Sequence, residues 1–343
     1  MELLSGVREG LKKLVGTRNE VLILSSSGTG AMEAAILNLC SPGDEVLVIR
    51  AGKFGGRWAQ IVKAHALTVR ILDIPLGEVP TIAQVKTLMM QYPNAKALLI
   101  QACETSTGVN FPVSEIAALT KKSDLLLVVD AVSYLGVSPF YMDNWGVDVM
   151  VSASQKGLML PPGLSFVCFN EKAWAAQKKS KLTKYYFDLA KERKAIENNQ
   201  TAYTSSVTLI QGLAVVLSYV HEIGMQTLFS TIHQKAQALR NAVQTLGLDL
   251  FAKVPSDGLV SIAVPHKIDG TKIVTKLRDE YSMTIAGGQD ELKGKIIRIA
   301  CMGYVQSEDL ILLFEALEKV LVELGLKITV GQSVSVLKKE WSL

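Results

Sequence analysis

Residues 21–49 run VLILSSSGTGAMEAAILNLCSPGDEVLVI, and this stretch decides the fold class. The apolar run Val21–Leu24 predicts a buried strand, Gly30–Cys40 has the length of a helix, and Glu45–Ile49 predicts a second strand. Neither strand alternates polar and apolar residues, which is typical of strands covered on both faces. Strands that alternate with helices in this way predict a mostly parallel, doubly wound sheet.

The same alternation continues for more than a hundred residues. Further strands are predicted at Leu67–Leu72, Ala97–Ile100, Leu125–Val129, Asp148–Val151 and Leu164–Cys168. Helices are predicted between them at Phe54–Ala66, Ile82–Tyr92 and Ser114–Lys121. The chain is therefore expected to be an α/β protein whose larger domain holds a mostly parallel sheet of seven strands.

The pattern changes after Asn170. Two long helices are predicted at Ala173–Lys194 and Val207–Leu246, the second broken near Gly224. A smaller α+β unit follows, with strands at Leu259–Val264, near Thr284–Ala286 and at Ile296–Cys301, and helices at Gly270–Glu280 and Ser307–Leu324. We expect a large domain over residues 1–225 and a small C-terminal domain over residues 226–343.

Composition excludes several classes of protein. The 343 residues are 49% hydrophobic and 20% charged, with a net charge of +4, which suits a globular enzyme and leaves no basic stripe for nucleic acid. The four cysteines and four histidines are dispersed without metal-ligand or disulfide spacing. No apolar run reaches the roughly 20 residues that span a bilayer. We expect no metal, nucleic-acid or membrane partner, and a cytoplasmic location.

The segment Ser25–Glu33 is the first candidate for chemistry. Its glycines follow a strand and open a helix, where free backbone amides and the helix dipole favour an anion such as phosphate. Small residues at such a turn also serve tight packing alone, so this signal by itself is weak. A dinucleotide site is disfavoured because Glu33 replaces the third glycine and the next strand ends in Arg50.

Asp130 and Lys156 are the other two candidates. Asp130 ends a buried strand, the edge at which open α/β sheets bind ligands, although an aspartate there also caps turns. Lys156 lies among small and apolar residues, where a free ammonium is costly unless its pKa falls or it forms an imine. Taken alone, Lys156 is better explained as a lysine that extends from a turn into solvent.

The three candidates together resemble the class-V aminotransferases, a family of fold-type I enzymes that use pyridoxal 5'-phosphate. Asp130 and Lys156 are 26 residues apart, as in that family. The resemblance runs from about Leu11 to Leu321 and is carried by Ser27–Ala34, Gly52–Trp58, Glu104–Gly108, Ser154–Gly157 with Pro161–Gly163, Lys184–Asp188, Ala286–Asp290 and Arg298–Ile299. The subgroup it resembles most comprises alanine–glyoxylate, serine–glyoxylate and serine–pyruvate aminotransferases and soluble-hydrogenase small subunits.

The resemblance implies catalytic roles for three residues. Lys156 is expected to bind the cofactor's aldehyde carbon as a Schiff base and then to move the proton of the substrate. Asp130 is expected to keep the pyridine nitrogen protonated. Arg298 is expected to grip the substrate carboxylate with two hydrogen bonds, the alternative being a surface arginine paired with Asp290 or Glu291.

Further residues are expected to hold the cofactor. Those implied at the phosphate are Ser27, Gly28, Thr29 and Gln155. Phe54 and Val132 are expected on opposite faces of the ring, and Thr105 at its phenolic oxygen, although Phe54 taken alone fits an ordinary core position. A threonine that matches Thr201 reaches the neighbouring subunit's phosphate in the family, which implies a homodimer with shared sites.

Two departures from the family pattern accompany the resemblance. Family members begin with an additional segment that contains Pro-Gly-Pro-Thr, so we expect this sequence to lack an N-terminal part. Ala102 stands where relatives often have histidine. The expected reaction moves an amino group from alanine or serine to glyoxylate or pyruvate. Alternatives are a lyase of the same fold, such as a cysteine desulfurase, and a weakly catalytic subunit that serves in assembly.

Overall fold

The computed structural model describes residues 2–341. The strands in this range are β1 (Val21–Leu24), β2 (Glu45–Arg50), β3 (Thr68–Asp73), β4 (Ala97–Gln101), β5 (Cys103–Glu104), β6 (Val109–Asn110), β7 (Leu126–Asp130), β8 (Val149–Ala153), β9 (Ser165–Phe169), β10 (Leu259–Ala263), β11 (Ala286–Gly287) and β12 (Ile296–Ala300). The helices are α1 (Glu2–Val15), α2 (Gly28–Leu39), α3 (Lys53–Ala64), α4 (Ile82–Gln91), α5 (Val113–Thr120), α6 (Met142–Trp145), α7 (Glu171–Gln177), α8 (Leu189–Ile196), α9 (Val207–Ile223), α10 (Met225–Thr245), α11 (Gly270–Tyr281), α12 (Ser307–Glu323) and α13 (Gln332–Trp341).

The central sheet contains the seven strands that the sequence predicts, in the order β1-β9-β8-β7-β4-β2-β3. Only β9 runs antiparallel to its neighbours within this sheet, and the other pairings are parallel. Gln101 at the end of β4 lies opposite Asp130 at the end of β7, and Asp130 lies opposite Val151 in β8. The carboxyl ends of these strands therefore form one edge, which carries the candidate site.

Helices cover both faces of this sheet, as the unbroken apolar strands predict. On one face Leu11, Ile116 and Leu213, from α1, α5 and α9, belong to the same buried cluster. On the other face a second cluster includes Trp58 from α3 and Trp174 from α7. The prediction of a doubly wound α/β fold is confirmed.

The C-terminal part of the chain forms a separate three-stranded antiparallel sheet in the order β10-β12-β11. Its core is a third buried cluster drawn from residues 236–337, with Phe314 of α12 fully buried. The hairpin of β5 and β6 meets this part of the chain through a bridge between Val109 and Pro255. We infer the domain boundary near residue 225 from this division of the cores.

The predicted break in the second long helix is confirmed. Gly224 has φ 80°, a left-handed conformation that glycine adopts without strain, and it separates α9 from α10. No single helix within residues 2–341 is long and apolar enough to cross a membrane. Helices α9 and α10 taken together are long and apolar enough to do so, but they form a pair bent by 88°.

The single helix predicted at Ala173–Lys194 is wrong. The chain forms α7, then an irregular segment, then α8, because contacts with α2 outweigh local helix propensity. The buried Asn38 side chain donates to Phe187 O (2.6 Å) and accepts from the Leu189 amide (3.1 Å). Helices α1 and α13 were not predicted either; each buries only a few residues, such as Leu11 in α1 and Leu337 in α13.

Candidate active site

Nine of the eleven predicted site residues line one cavity of about 230 Å³ at the carboxyl edge of the central sheet. They are Ser27, Gly28, Thr29, Phe54, Thr105, Asp130, Val132, Gln155 and Lys156. The cavity lies where loops after β1, β7 and β8 converge with the start of α3. Of the other two predicted residues, Arg298 lies beside the cavity and Thr201 lies outside it.

Lys156 follows β8 in a loop that its neighbours hold firmly. The Ser154 hydroxyl donates to Pro161 O (2.7 Å), and Gly157 packs so closely that a Cβ atom there would lie 2.4 Å from Leu135 O. The Lys156 amine has no hydrogen-bond or ion-pair partner in the part of the chain that the structure describes. Burial, and secondarily the positive charge of Arg298, lower the pKa of Lys156. A partly buried amine of lowered pKa is suited to nucleophilic attack and to proton transfer.

Asp130 ends β7 at the floor of the cavity and is only 6% exposed. The Val132 amide donates to its Oδ1 at 2.8 Å. Burial nevertheless raises the pKa of Asp130 to about 7, since that one amide and the positive charges of Arg57 and Lys156 do not offset the desolvation. Such a carboxyl group is suited to face a positively charged hydrogen-bond donor inside the cavity.

The first turn of α2 presents free amides to the cavity. Ser27, at the N-cap, makes no side-chain hydrogen bond to the helix, and the Ala31 amide bonds to Ser27 O at 3.2 Å. The amides of Gly28, Thr29 and Gly30 precede that bond and have no intrahelical acceptor. A Cβ atom on Gly28 would lie 2.8 Å from Val132 Cγ2, so a larger residue here would displace the Val132 side chain. The arrangement favours an anion.

Phe54 is positioned by Glu104, whose role the sequence analysis missed. The buried Glu104 carboxylate accepts hydrogen bonds from the amides of Phe54 (3.1 Å) and Gly55 (2.9 Å) at the start of α3. It also accepts from the Ser106 amide at 3.2 Å. A negative charge at a helix N-terminus is stabilising, and here it fixes the helix that carries Phe54.

Four cavity residues were not predicted, namely Met32, Arg57, Cys103 and Ser133. Ser133 accepts a hydrogen bond from the Thr105 hydroxyl at 2.8 Å. Arg57 lies one helical turn after Phe54, and its guanidinium is 4.9 Å from the centre of the Phe54 ring. The spacing of three residues on a helix is a signal that could have identified Arg57.

Arg298 links the smaller sheet to the turn after β5, which lines the cavity. From β12 its Nη1 donates to Thr105 O (2.6 Å), while Nε and Nη2 donate to Gly287 O (3.1 and 2.8 Å). It is 8% exposed, and burial lowers its pKa. It does not pair with Asp290, which lies 3.5 Å from Lys53 instead. The two carbonyl groups fix the plane of the guanidinium, and its remaining N–H groups are not used by these bonds.

Thr201 lies between α8 and α9, outside the cavity. Its hydroxyl donates to Tyr203 O at 2.7 Å. Tyr203 stacks on Tyr186 with ring centres 5.1 Å apart, and the Tyr186 hydroxyl donates to Ser25 O at 3.2 Å. Thr201 is thus connected, through Tyr203 and Tyr186, to the loop after β1.

Comparison with known proteins identifies related sequences and structures. The family Aminotransferase class-V matches residues 1–313. The soluble hydrogenase small subunit of Synechococcus sp. is 38% identical, covering 94% of this chain and 85% of that protein. The L-aspartate–glyoxylate aminotransferase of Paracoccus denitrificans is 35% identical, covering 97% of this chain and 86% of that protein. The crystal structure of an alanine–glyoxylate aminotransferase from Nostoc sp. superposes with a TM-score of 0.90 at 30% identity, covering 93% and 86% of the two chains.

The groups around the cavity fit pyridoxal phosphate. Lys156 offers an unpartnered amine for an aldehyde, and Asp130 offers a buried carboxyl group for a ring nitrogen. The start of α2 offers free amides for a phosphate. Gln155 also lines the cavity, and its buried side-chain oxygen has no partner within the described residues. Three chemically different ends of one small molecule thus find complementary groups in a single cavity.

Proposed function

This chain belongs to the class-V aminotransferases, and from that premise we propose that it transfers an amino group from alanine or serine to glyoxylate or pyruvate. It is a transaminase whose cofactor is pyridoxal phosphate. The observation that supports the assignment of its site is the convergence of the Lys156 amine, the Asp130 carboxyl group and the free amides of α2 on one cavity.

When bound, the cofactor accepts the amino group and withdraws electrons from the substrate's Cα. Lys156 would hold the aldehyde carbon at rest and, once released, would serve as the base that takes the proton from Cα. Its lowered pKa favours the neutral amine, the form that accepts a proton. Asp130 would hold a proton on the ring nitrogen, and the positive charge there would compensate the desolvation of the carboxylate.

The remaining lining residues orient the ring. Phe54 and Val132 would pack on its two faces, and Thr105 would donate to its phenolic oxygen. The 2.8 Å contact between the Thr105 and Ser133 hydroxyl groups uses one of their two protons, so with Ser133 as the donor in that contact the Thr105 proton is left for the ligand. The phosphate is held by Ser27, Gly28, Thr29 and Gln155.

Arg298 binds the carboxylate of the amino acid. Its contacts to Thr105 O and Gly287 O support this role, since they orient a planar donor beside the cavity before the substrate arrives. A fixed guanidinium matches a carboxylate with two parallel hydrogen bonds.

The size and charge of the cavity support a small donor. The volume of about 230 Å³ accommodates the cofactor as well as the substrate, which leaves little room for a long side chain. Among its lining residues the cations are Lys156 and Arg57, and Arg57 already donates to Thr29 Oγ1 at 3.2 Å. Alanine and serine need no further cation, whereas aspartate does.

A donor panel tests the substrates. The protein loaded with pyridoxal phosphate is mixed with alanine, serine or aspartate, each against glyoxylate and pyruvate, and both products are quantified by chromatography. We expect alanine or serine with glyoxylate or pyruvate to give the highest kcat/KM. A preference for aspartate would contradict the proposed donor. A stable yellow protein that responds to none of these amino acids would favour a subunit that serves in assembly.

A lyase that acts through a cysteine is disfavoured by the thiols of this chain. Cys40, Cys103, Cys168 and Cys301 are all buried, and burial raises the pKa of each to about 12. A nucleophilic thiolate needs an accessible and electropositive setting, which burial does not provide.

We further propose a homodimer in which Thr201 reaches the phosphate of the partner subunit. Beside Thr201 the tyrosines of the Lys184–Asp188 segment are unusually open, with Tyr185 75% and Tyr186 43% exposed. Tyrosine is enriched at protein interfaces. We expect Tyr185→Asp to shift sedimentation at micromolar concentration towards monomer, while Tyr304→Asp, at a tyrosine 74% exposed elsewhere, has no such effect. A wild-type protein that sediments as a monomer would contradict the dimer.

A further inference from the structure

Arg57 lies at the end of the cavity that faces the start of α2. Its Nη1 donates to Thr29 Oγ1 at 3.2 Å, and Thr29 belongs to the first turn of that helix. Its guanidinium also lies over the Phe54 ring at 4.9 Å. The two contacts come from different elements, so the position of the charge is fixed by α2 and α3 together.

The contacts of Arg57 use only one of its N–H groups. Phe54 and Arg57 are both cavity residues, and they are three residues apart on α3, so they share one face of that helix. Stacking on a ring holds the guanidinium without using its N–H groups. One N–H group is engaged by Thr29, and the other four are not engaged by any acceptor in residues 2–341.

The charge of Arg57 also has no carboxylate partner within the same range. Two other arginines stack on an aromatic ring, and each has a carboxylate partner. Arg70 lies 4.8 Å from the centre of the Tyr92 ring and pairs with Glu45 at 2.6 Å. Arg193 lies 4.5 Å from the centre of the Trp174 ring and pairs with Glu171 at 3.6 Å. Arg57 has the same stacking geometry without the acid. A cation without an ion-pair partner beside free helix amides is complementary to a dianion.

We propose that Arg57 is a phosphate-binding residue of this enzyme, which supplies the cationic hydrogen-bond donor at the anion end of the cavity and sets the preference for the phosphorylated cofactor. The inference rests on the proposed assignment of this cavity to pyridoxal phosphate. The free amides of α2 surround the phosphate with dipoles, and Arg57 adds the formal charge that they lack.

The test compares pyridoxal phosphate with pyridoxal, which lacks the phosphate. Each is titrated into cofactor-free wild type, Arg57→Gln, Arg57→Lys and the matched control Arg70→Gln, with binding followed by protein fluorescence and visible absorbance. We expect Arg57→Gln to weaken pyridoxal phosphate roughly 10- to 100-fold, as for the loss of a charge-assisted hydrogen bond, and to leave pyridoxal within about twofold. Arg57→Lys should recover part of the loss because it keeps the charge, and Arg70→Gln should bind both compounds as wild type does.

A second measurement uses inorganic phosphate and needs no cofactor. Millimolar phosphate should raise the thermal midpoint of the cofactor-free wild type and of Arg70→Gln more than that of Arg57→Gln. If pyridoxal and pyridoxal phosphate weaken equally in Arg57→Gln, the residue only supports Phe54 and the inference is wrong. Unchanged affinity for pyridoxal phosphate in Arg57→Gln would also overturn it while leaving the proposed function intact. A wild type that binds neither compound would overturn both.

Discussion

Two parts of the cavity bind a ligand in different ways. We call the part formed by Asp130 and Lys156 the floor, and the part formed by the first turn of α2 and Arg57 the rim. At the floor, Asp130 and Lys156 extend from strand ends into a desolvated space, and burial is the largest cause of the pKa shift of each. At the rim, Arg57 donates a hydrogen bond to Thr29 in the first turn of α2. Thr29 is exposed, so this part of the cavity is open to solvent. Burial at the floor creates groups that hold or move a proton, whereas the rim offers preformed donors that hold an anion without changing its protonation.

This contrast predicts the largest effect for Lys156→Ala. The variant loses both the covalent attachment of the cofactor and the base, so we expect turnover to fall by at least the roughly 10²- to 10⁴-fold that a positioned base contributes. Folding should persist, because the amine makes no hydrogen bond that the variant would break. Steady-state assays, absorbance of the loaded protein and thermal unfolding measure the three quantities.

Lys235→Ala is the matched control for that variant. Lys235 is also a lysine whose pKa is lowered by burial, but it donates to Val305 O in the smaller unit. We expect it to change stability and to leave turnover unaltered. Equal losses of turnover in the two variants would mean that Lys156 contributes to turnover only through stability, as Lys235 does, and not as a base.

The second largest effect is expected for Asp130→Asn. The amide cannot stabilise a positive charge on the ring nitrogen, so we expect the cofactor to bind and proton transfer to slow by roughly 10²- to 10³-fold. Asp148→Asn is the control, since Asp148 is equally buried in the same part of the chain but accepts from the Leu127 amide (2.8 Å) away from the cavity. Near-normal turnover in Asp130→Asn would show that the floor does not act through charge.

A third effect concerns stability and pH in the cofactor-free protein. The pKa of Asp130 is raised from 3.8 to about 7, so the folded state binds this proton more tightly than the unfolded state does. The stability that the protonated carboxyl contributes is complete below pH 4 and is lost as the pH rises through about 7. Between pH 5 and 7.5 we expect wild type to lose roughly 3 kcal/mol relative to Asp130→Asn, at 1.36 kcal/mol per pKa unit.

Urea unfolding of both proteins at several pH values measures that difference. Loading the cofactor should reduce it, because a protonated ring nitrogen provides the positive partner that the carboxylate lacks. Parallel pH profiles for cofactor-free wild type and Asp130→Asn would show that the carboxyl group is solvated and that the floor is not desolvated.

The floor could be predicted from the sequence more completely than the rim. Asp130 ends an unbroken apolar strand and Lys156 follows another, so the alternation of strands with helices predicts that both lie at one edge of a parallel sheet. The start of α2 was also a candidate, although glycines between a strand and a helix serve tight packing as well, so that signal was weak by itself. These signals are local, and they depend on backbone geometry that the sequence dictates directly.

The rest depended on contacts between distant segments. Ser133 belongs to no motif, and Arg57 lies in the Gly52–Trp58 motif without a predicted role. Their proximity to Thr29 and Thr105 arises only when the loops converge. The failure of the helix at Ala173–Lys194 has the same origin, because the buried Asn38 side chain, far away in the sequence, holds the backbone on both sides of Asp188. Tertiary contacts overrode local propensity in each case.

The smallest effect is expected at Arg298, which joins the floor to the smaller sheet. Arg298→Lys keeps the charge but loses the fork that Thr105 O and Gly287 O hold in place, so we expect kcat/KM to fall about tenfold, mainly through KM. Arg240→Lys is the control, because Arg240 is a similarly buried arginine that donates to Ser256 O at 2.7 Å. A fall in kcat with unchanged KM would mean that Arg298 acts on the chemical step, as the floor does, and that binding of the substrate carboxylate lies elsewhere.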